Sequence, residues 1–360
     1  MIKKLDWYII RSFLSAFALA LGLFTIIIII FDVSEKIDDF VEKSVPFTTI
    51  VSKYYINFVP FLLNQFSPIF IFISVIFFTS KMADRSEAIA MFSSGISYNR
   101  FLRPYMLTAL FLGFLSFALN AWIIPTSDKI RVDFENTYIR DISNDYRENI
   151  KRQIQPGIVM SMQSFNYLDS FGYLVNLEHI ENNRLVSRMS AEKMQWNRTA
   201  EKWTLSNYRY RIFNGDGTQT LHSGKTLDTT IQFNPIDFFR RVEDVQSFNL
   251  RELDEYIEME KMRGTENVFF YQTEKYRRYA APLSILVLTF IAVCVSSIKT
   301  RQGIGLHLGK GILISFFYLF VIQFFHSYGS SGALHPILAV TVPNVMFFFV
   351  GLYFYRFTQK

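Results

Sequence analysis

The sequence predicts an α-helical membrane protein with six transmembrane helices, three on each side of an inserted all-β, jelly-roll-like domain. Three observations predict it. Half of the 360 residues are hydrophobic and only 19% are charged, against roughly 25% in an average soluble protein. Six apolar runs reach the ~20 residues that a helix needs to cross a ~30 Å hydrocarbon core. Between the third and the fourth run the hydrophobic period changes to two.

The composition excludes a disordered chain, a collagen and a disulfide scaffold. A single cysteine, Cys294, excludes disulfides within the chain and a cysteine-based zinc site. The net charge of +6 is unevenly spread: residues 126–278 carry −1 and the remainder +7. Positive charge beside apolar runs is a topology signal rather than the footprint of a nucleic-acid binder.

The first run, Ser12–Phe31, has no charge. It exceeds the 7–15 residues of a signal-peptide core and is read as a retained helix. Ile56–Ser80 is uncharged and holds Pro60 and Pro68, and Pro104–Ile124 stops at Pro125. Tyr279–Ile298, Ile304–Ser327 and Leu334–Phe354 complete the set. Lys310 and His307 shorten the fifth apolar core from its start, and Lys310 can snorkel to the interface. No other Asp, Glu or Lys lies deep in a span, which argues against a proton- or ion-coupled carrier.

The connecting segments orient the chain. Lys3, Lys4, Arg11, Lys81, Arg85, Arg100, Arg103, Lys299, Arg301, Lys310, Arg356 and Lys360 share one side. The opposite short loops hold only Lys36, Lys43 and Lys53. Positive-inside bias places both termini in the cytoplasm and residues 126–278 outside. Residues 1–125 thus form the first three spans and 279–360 the last three.

In the external domain, residues 126–152 are polar and helix-compatible, an extension of the third span. Tyr173, Val175 and Leu177 then alternate with Asn176 and Glu178. Arg184–Trp196 sets Val186, Met194 and Trp196 on one face and Leu185, Met189 and Ala191 on the other. Lys202–Phe213 alternates likewise. Asn182-Asn183 and Asn214-Gly215-Asp216-Gly217 supply hairpin turns. From Asn249 a helical stripe of Leu250, Leu253, Ile257 and Met262 returns; Gly264 ends it, and a second helix runs into the fourth span.

Catalytic signatures are lacking. Ser223-Gly224-Lys225-Thr226 imitates the end of a phosphate-binding loop, but Gln219 stands where that loop needs a glycine. No HExxH or GxSxG occurs, so neither a zinc hydrolase nor a serine hydrolase is indicated. His326 and His335 flank a turn, and Cys294 fits packing.

One segment suggests a partner. In KMADRSEAIAMFSSGISYNR, Asp84 or Ser86 can cap a short helix over 84–95 that Gly95 ends. Ala88, Ile89, Met91 and Phe92 give it an apolar face, with Arg85 and Glu87 beside it. Such a helix can lie on lipid, dock into a soluble partner, or simply connect two spans.

Leu5-Asp6-x-Tyr8-Ile9 before the first span resembles the LptG branch of the LptF/LptG (YjgP/YjgQ) lipopolysaccharide export permease family. Arg85-Ser86-Glu87 with Met91 and Ser94-Gly95 does too. So does Leu250…Tyr256-Ile257…Gly264…Pro282-Leu283-Ser284. The order of three spans, β-domain and three spans covers the whole chain. The resemblance implies a permease subunit of an ABC-type exporter in the bacterial inner membrane, with a periplasmic β-domain. It would extract lipopolysaccharide and pass it to a periplasmic bridge of jelly-roll domains towards the outer membrane. It implies an LptB-like ATPase dimer, an LptF-like paralogous permease and an LptC-like jelly-roll protein as partners, with no enzymatic activity and no cofactor in this chain.

By the same resemblance 84–95 is the coupling helix, with Arg85, Glu87, Met91 and Phe92 facing the ATPase. Spans one and five would line lateral gates, and the β-domain would offer an apolar groove to acyl chains. The family carries basic residues at the outer end of span one, whereas this chain has Asp32, Glu35, Asp38 and Asp39 there. Lys36 and Lys43 remain as lipid-phosphate candidates, with Arg277 and Arg278 before span four as further ones. Two other classes share parts of this pattern. A mechanotransmitting ABC subunit would keep the coupling helix but move no lipid, and a membrane sensor would need no ATPase.

Overall fold

The computed structural model describes residues 3–139, 146–166, 170–197, 200, 202–215, 217–231, 242–265, 267–298 and 303–358. Lys299, Arg301, Lys360 and Asp216, used above for topology and a turn, lie outside the described residues. Two compact units emerge. One comprises Met1–Phe134, Gln246–Leu253 and Phe269–Lys360, the other Glu135–Val245 and Asp254–Val268.

The first unit is helical. Helix α1 (Lys4–Glu42) is roughly 58 Å long at 1.5 Å per residue, so both ends outrun the hydrocarbon. A π-helical stretch, Ile50–Tyr55, leads into α2 (Ile56–Asp84). The short α3 (Glu87–Ser93) connects it to α4 (Tyr98–Ala118). A second π stretch, Leu119–Ile123, joins α4 to α5 (Ile124–Tyr138). Later come α6 (Leu250–Arg263), which belongs to the second unit from Asp254 on, and then α7 (Val268–Ser296), α8 (Gly303–Ser330) and α9 (Pro336–Thr358). Among the described residues, six helical segments are long and apolar enough to cross a membrane.

The third apolar run stops at Pro125, and its helix extends beyond that proline as expected. The helix passes through the π stretch and continues to Tyr138. Proline lacks the N–H of the regular ladder; a widened turn just before it is one way a helix accommodates that loss. The helix-compatible reading of 126–152 fails at its end, because Tyr146–Gln155 is a strand.

The core joins these helices. Ile9 and Phe13 of α1, Ile71, Phe72 and Val75 of α2, Phe101 and Tyr105 of α4, and Leu288 and Ile291 of α7 are all buried in one cluster. Burial of a large apolar side chain is worth about 1.5–3 kcal/mol in water. Between lipid-solvated helices, close packing and hydrogen bonds carry more of the association. Two such bonds recur here: Thr79 to the Tyr105 hydroxyl at 2.9 Å and Ser116 to Asn64 at 2.6 Å.

The second unit holds strands β1 (Tyr146–Gln155), β2 (Ile158–Asn166), β3 (Phe171–Glu181), β4 (Arg184–Asn197), β5 (Lys202–Phe213) and β6 (Gln219–Thr229). They form one antiparallel sheet in the order β1-β2-β3-β4-β5-β6. Among the described residues this is a plain meander, without the Greek-key crossing of a strict jelly roll. Short turns dictate it: Asn182 and Asn183 both take positive φ, +49° and +61°, as a primed hairpin turn requires.

A crease crosses the sheet. Asn149, Gln163, Leu174, Glu192, Asn207 and Lys225 stand opposite one another, yet the pairing skips each of them and resumes in register on both sides. Asn149, Leu174 and Asn207 have φ of +54°, +48° and +50°. Across this line the core-facing parity slips. Met162 is followed by Phe165, and Ala191 by Met194; Leu205 is followed by Tyr208, which packs beside the cluster. The expected opposition of Met194 and Trp196 to Met189 and Ala191 is therefore corrected, because all four serve one core. Trp203 lies at its centre, fully buried, 5.1 Å from the Trp196 ring and 6.2 Å from that of Phe165.

Candidate functional site

Helix α3 is terminated by backbone chemistry. Gly95 takes φ +84°, its N–H reaches the Phe92 carbonyl at 3.0 Å, and the Ile96 N–H reaches that of Met91 at 3.2 Å. This is the paired Schellman arrangement, and its left-handed position favours glycine. The start differs from expectation. Ser86 holds the N-cap position at φ +61°, and its side chain makes no cap bond.

One face of α3 is consumed by its own unit. Ala88 is fully buried, and Met91 and Phe92 are half-buried against the helical core. The Phe92 ring meets Phe101 at 5.2 Å and Tyr98 at 6.0 Å. Met91 and Phe92, expected to face outward, seat the helix. Arg85, Ile89, Ala90 and Ser93 are exposed.

Glu87 and Arg85 part company. Glu87 accepts a hydrogen bond from the Tyr8 hydroxyl of α1 at 3.0 Å. Arg85 caps the end of α2 and remains exposed. Two residues before Tyr8, the buried Asp6 pairs with Arg100 at the start of α4 at 2.6 Å. Asp6 also accepts the Lys3 N–H at 2.8 Å, while Ile9 enters the core. The Asp6-x-Tyr8 pattern therefore straps the beginning of α1 to α3 through Glu87 and to α4 through Arg100.

The far end of α1 carries a second polar cluster. Lys36 binds Asp32, four residues earlier, and the Tyr54 hydroxyl. Its ammonium sits 4.9 Å from the Tyr54 ring centre and 5.6 Å from that of Phe58. Tyr55 donates to the other Asp32 oxygen at 3.1 Å. Lys36 is thus committed inside the protein, and its spacing to Asp32 was the available signal. Lys43 ends α1 and is exposed.

Arg277 and Arg278 separate likewise. Arg277 grips Glu274 one turn earlier, with Nε 2.9 Å and 3.0 Å from its two oxygens. Arg278 is buried and donates to the Phe248 carbonyl at 2.7 Å. Glu274, which sequence reasoning passed over, is the hub. It is buried, accepts from Gln246 at 2.7 Å and lies 3.6 Å from the His326 Nε2. These groups and the Ser284–Asn344–Tyr318 hydrogen bonds line a cavity of about 380 Å³.

Ser223-Gly224-Lys225-Thr226 lies within strand β6. Its glycine has a packing reason: a Cβ there would fall 2.7 Å from the Tyr208 ring. Among the described residues no group of three or more His, Cys, Asp or Glu side chains could hold a metal ion.

The family described as lipopolysaccharide export system permease LptF/LptG matches residues 7–356. The chain is similar to the lipopolysaccharide export system permease protein LptG of Escherichia coli strain K12. The two are 22% identical over 315 residues, 82% of either chain. The protein of the same name from E. coli O6:H1 strain CFT073 matches with the same identity and coverage.

Proposed function

This chain belongs to the LptF/LptG family of lipopolysaccharide export permeases, and from that premise we propose that it is the LptG-like membrane subunit of an ABC-type lipopolysaccharide exporter. It works in the bacterial inner membrane with both termini in the cytoplasm. The β-unit lies in the periplasm, in keeping with the excess of Lys and Arg on the short segments of the other side. An LptF-like permease pairs with it, and an LptC-like protein continues its sheet edge to edge. ATP is hydrolysed by a separate LptB-like dimer, in line with a chain whose one phosphate-loop imitation lies in a strand.

The observation that carries this reading is the seating of α3. Its apolar side is spent on its own unit, which leaves Arg85, Ile89 and Ala90 facing outward. Glu87 is tied to the first span through Tyr8. A partner that docks on α3 thereby moves α1, one wall of the lateral gate; α8 would be another. Met91 and Phe92 hold the coupling helix in place, and Arg85 and Glu87 meet the ATPase.

Lipid phosphate falls to Lys43 in its described state, with Lys36, Arg277 and Arg278 engaged by protein groups. Any of the engaged residues joins only if its internal bonds are exchanged. The test is purification from native membranes. A stoichiometric ATPase, a second six-span permease and bound lipopolysaccharide are expected. ATPase with a periplasmic partner but no lipid overturns the export reading, and absence of ATPase overturns the coupling reading.

A further inference from the structure

We propose that the groove between α1, α2 and α8 binds an anionic glycerophospholipid, with its phosphate at Arg11 and Lys81. The assignment to the cytoplasmic leaflet rests on the orientation proposed above. The groove measures about 890 Å³ and lies wholly within the helical unit.

Its wall is layered. Arg11, Lys81 and Arg85 belong to its lining and are exposed. None of the three forms an ion pair with a described carboxylate, and the Lys81 ammonium lies 5.9 Å from the Phe77 ring centre. The one acid on the described wall, Glu87, is hydrogen-bonded to Tyr8. Deeper lie hydroxyls. Ser15 is about 6 Å along α1 from Arg11, and Ser74 about 10 Å along α2 from Lys81, at 1.5 Å per residue.

The Ser74 hydroxyl is buried and has no hydrogen-bond partner. A buried hydroxyl in that state is destabilising and calls for an acceptor. Further in, Leu19, Leu23, Ile73, Leu308 and Ile312 make the wall apolar. The order cation, hydroxyl, hydrocarbon matches phosphate, ester carbonyl and acyl chain. Basic pockets between helices on the cytoplasmic side suit such headgroups. Inorganic phosphate alone would leave the apolar wall and Ser74 unmet, and an apolar protein helix would leave Arg11 and Lys81 without counter-charge.

The experiment uses the full chain, with its native partners, in nanodiscs containing phosphatidylglycerol and phosphatidylcholine, read by native mass spectrometry. Preferential retention of phosphatidylglycerol is expected, weakened at least about tenfold by Arg11→Gln with Lys81→Gln. It should be restored by Arg11→Lys with Lys81→Arg, which separates charge from folding. Equal retention of the two lipids, or no loss in the double variant, overturns the proposal. So does displacement by inorganic phosphate at the lipid's own concentration, or a photo-crosslinker at Leu19 that captures protein instead of lipid. Ser94→Cys, probed with an impermeant maleimide on spheroplasts, tests the orientation separately. Protection from outside supports the leaflet assignment, and labelling overturns it independently of the lipid result.

Discussion

The Tyr8 hydroxyl and the Glu87 carboxylate, 79 positions apart, meet at 3.0 Å, so the first span and the segment between the second and third spans are joined at one point. Tyr8 also holds an edge-on ring contact with Phe78 at 6.0 Å. Tyr8→Phe keeps that contact and removes the bond. The pair is exposed, so stability should fall by less than about 1 kcal/mol. ATPase should still co-purify while lipid release per ATP falls, which single-turnover lipid extraction measures. Glu87→Arg should instead abolish ATPase association with the fold intact; normal co-purification would refute the coupling role.

Gly95→Ala tests the end of α3. Nothing lies within 4 Å of the added Cβ, so the cost is purely conformational. At φ +84° it should be about 1 kcal/mol. Faster hydrogen exchange at Gly95 and Ile96 and weaker ATPase binding are expected, whereas unchanged exchange would contradict the terminating role.

Lys36→Met separates two roles. A lysine that only awaited lipid phosphate could be removed without loss of stability. Here removal leaves the buried Asp32 carboxylate without its counter-charge, held only by tyrosine hydroxyls, and breaking a buried pair costs about 3–5 kcal/mol. A lower thermal midpoint in detergent without lipopolysaccharide is therefore expected. Lys43→Met, at an exposed position, should leave the midpoint unchanged.

Trp203→Ala should cost about 3–5 kcal/mol and expose the β-unit to protease, because the side chain is fully buried between Trp196 and Phe165. Val175→Glu, another core position, should do the same. Limited proteolysis with an intact β-unit in both variants would show that this face is not the core.

The helical plan was legible because bilayer thickness imposes run length, and charge asymmetry is a composition signal. The strands were legible from Tyr173, Val175 and Leu177. The crease was not, because three non-glycine residues at positive φ leave no mark on hydropathy. The same limit hid the Glu274 hub. Its partners Gln246 and His326 come from distant parts of the chain, and no local spacing announces them. Asp6 and Tyr8 were visible only as a pattern, and their bonds to Arg100 and Glu87 are what the pattern does.

The crease also bears on how the sheet avoids errors during assembly. A strand with a single stripe can slide by two residues and still bury every apolar side chain. A strand whose stripe changes sides at Leu174, Glu192 or Asn207 cannot: a slide by two carries residues across the line, where their face is reversed, and moves the positive φ of Leu174 or Asn207 out of line with the neighbouring strands. Misaligned hairpins are thus opposed by packing and by the backbone together. The meander, which lacks long-range crossings to fix its alignment among the described residues, carries its own proofreading in the line of residues that breaks its regularity.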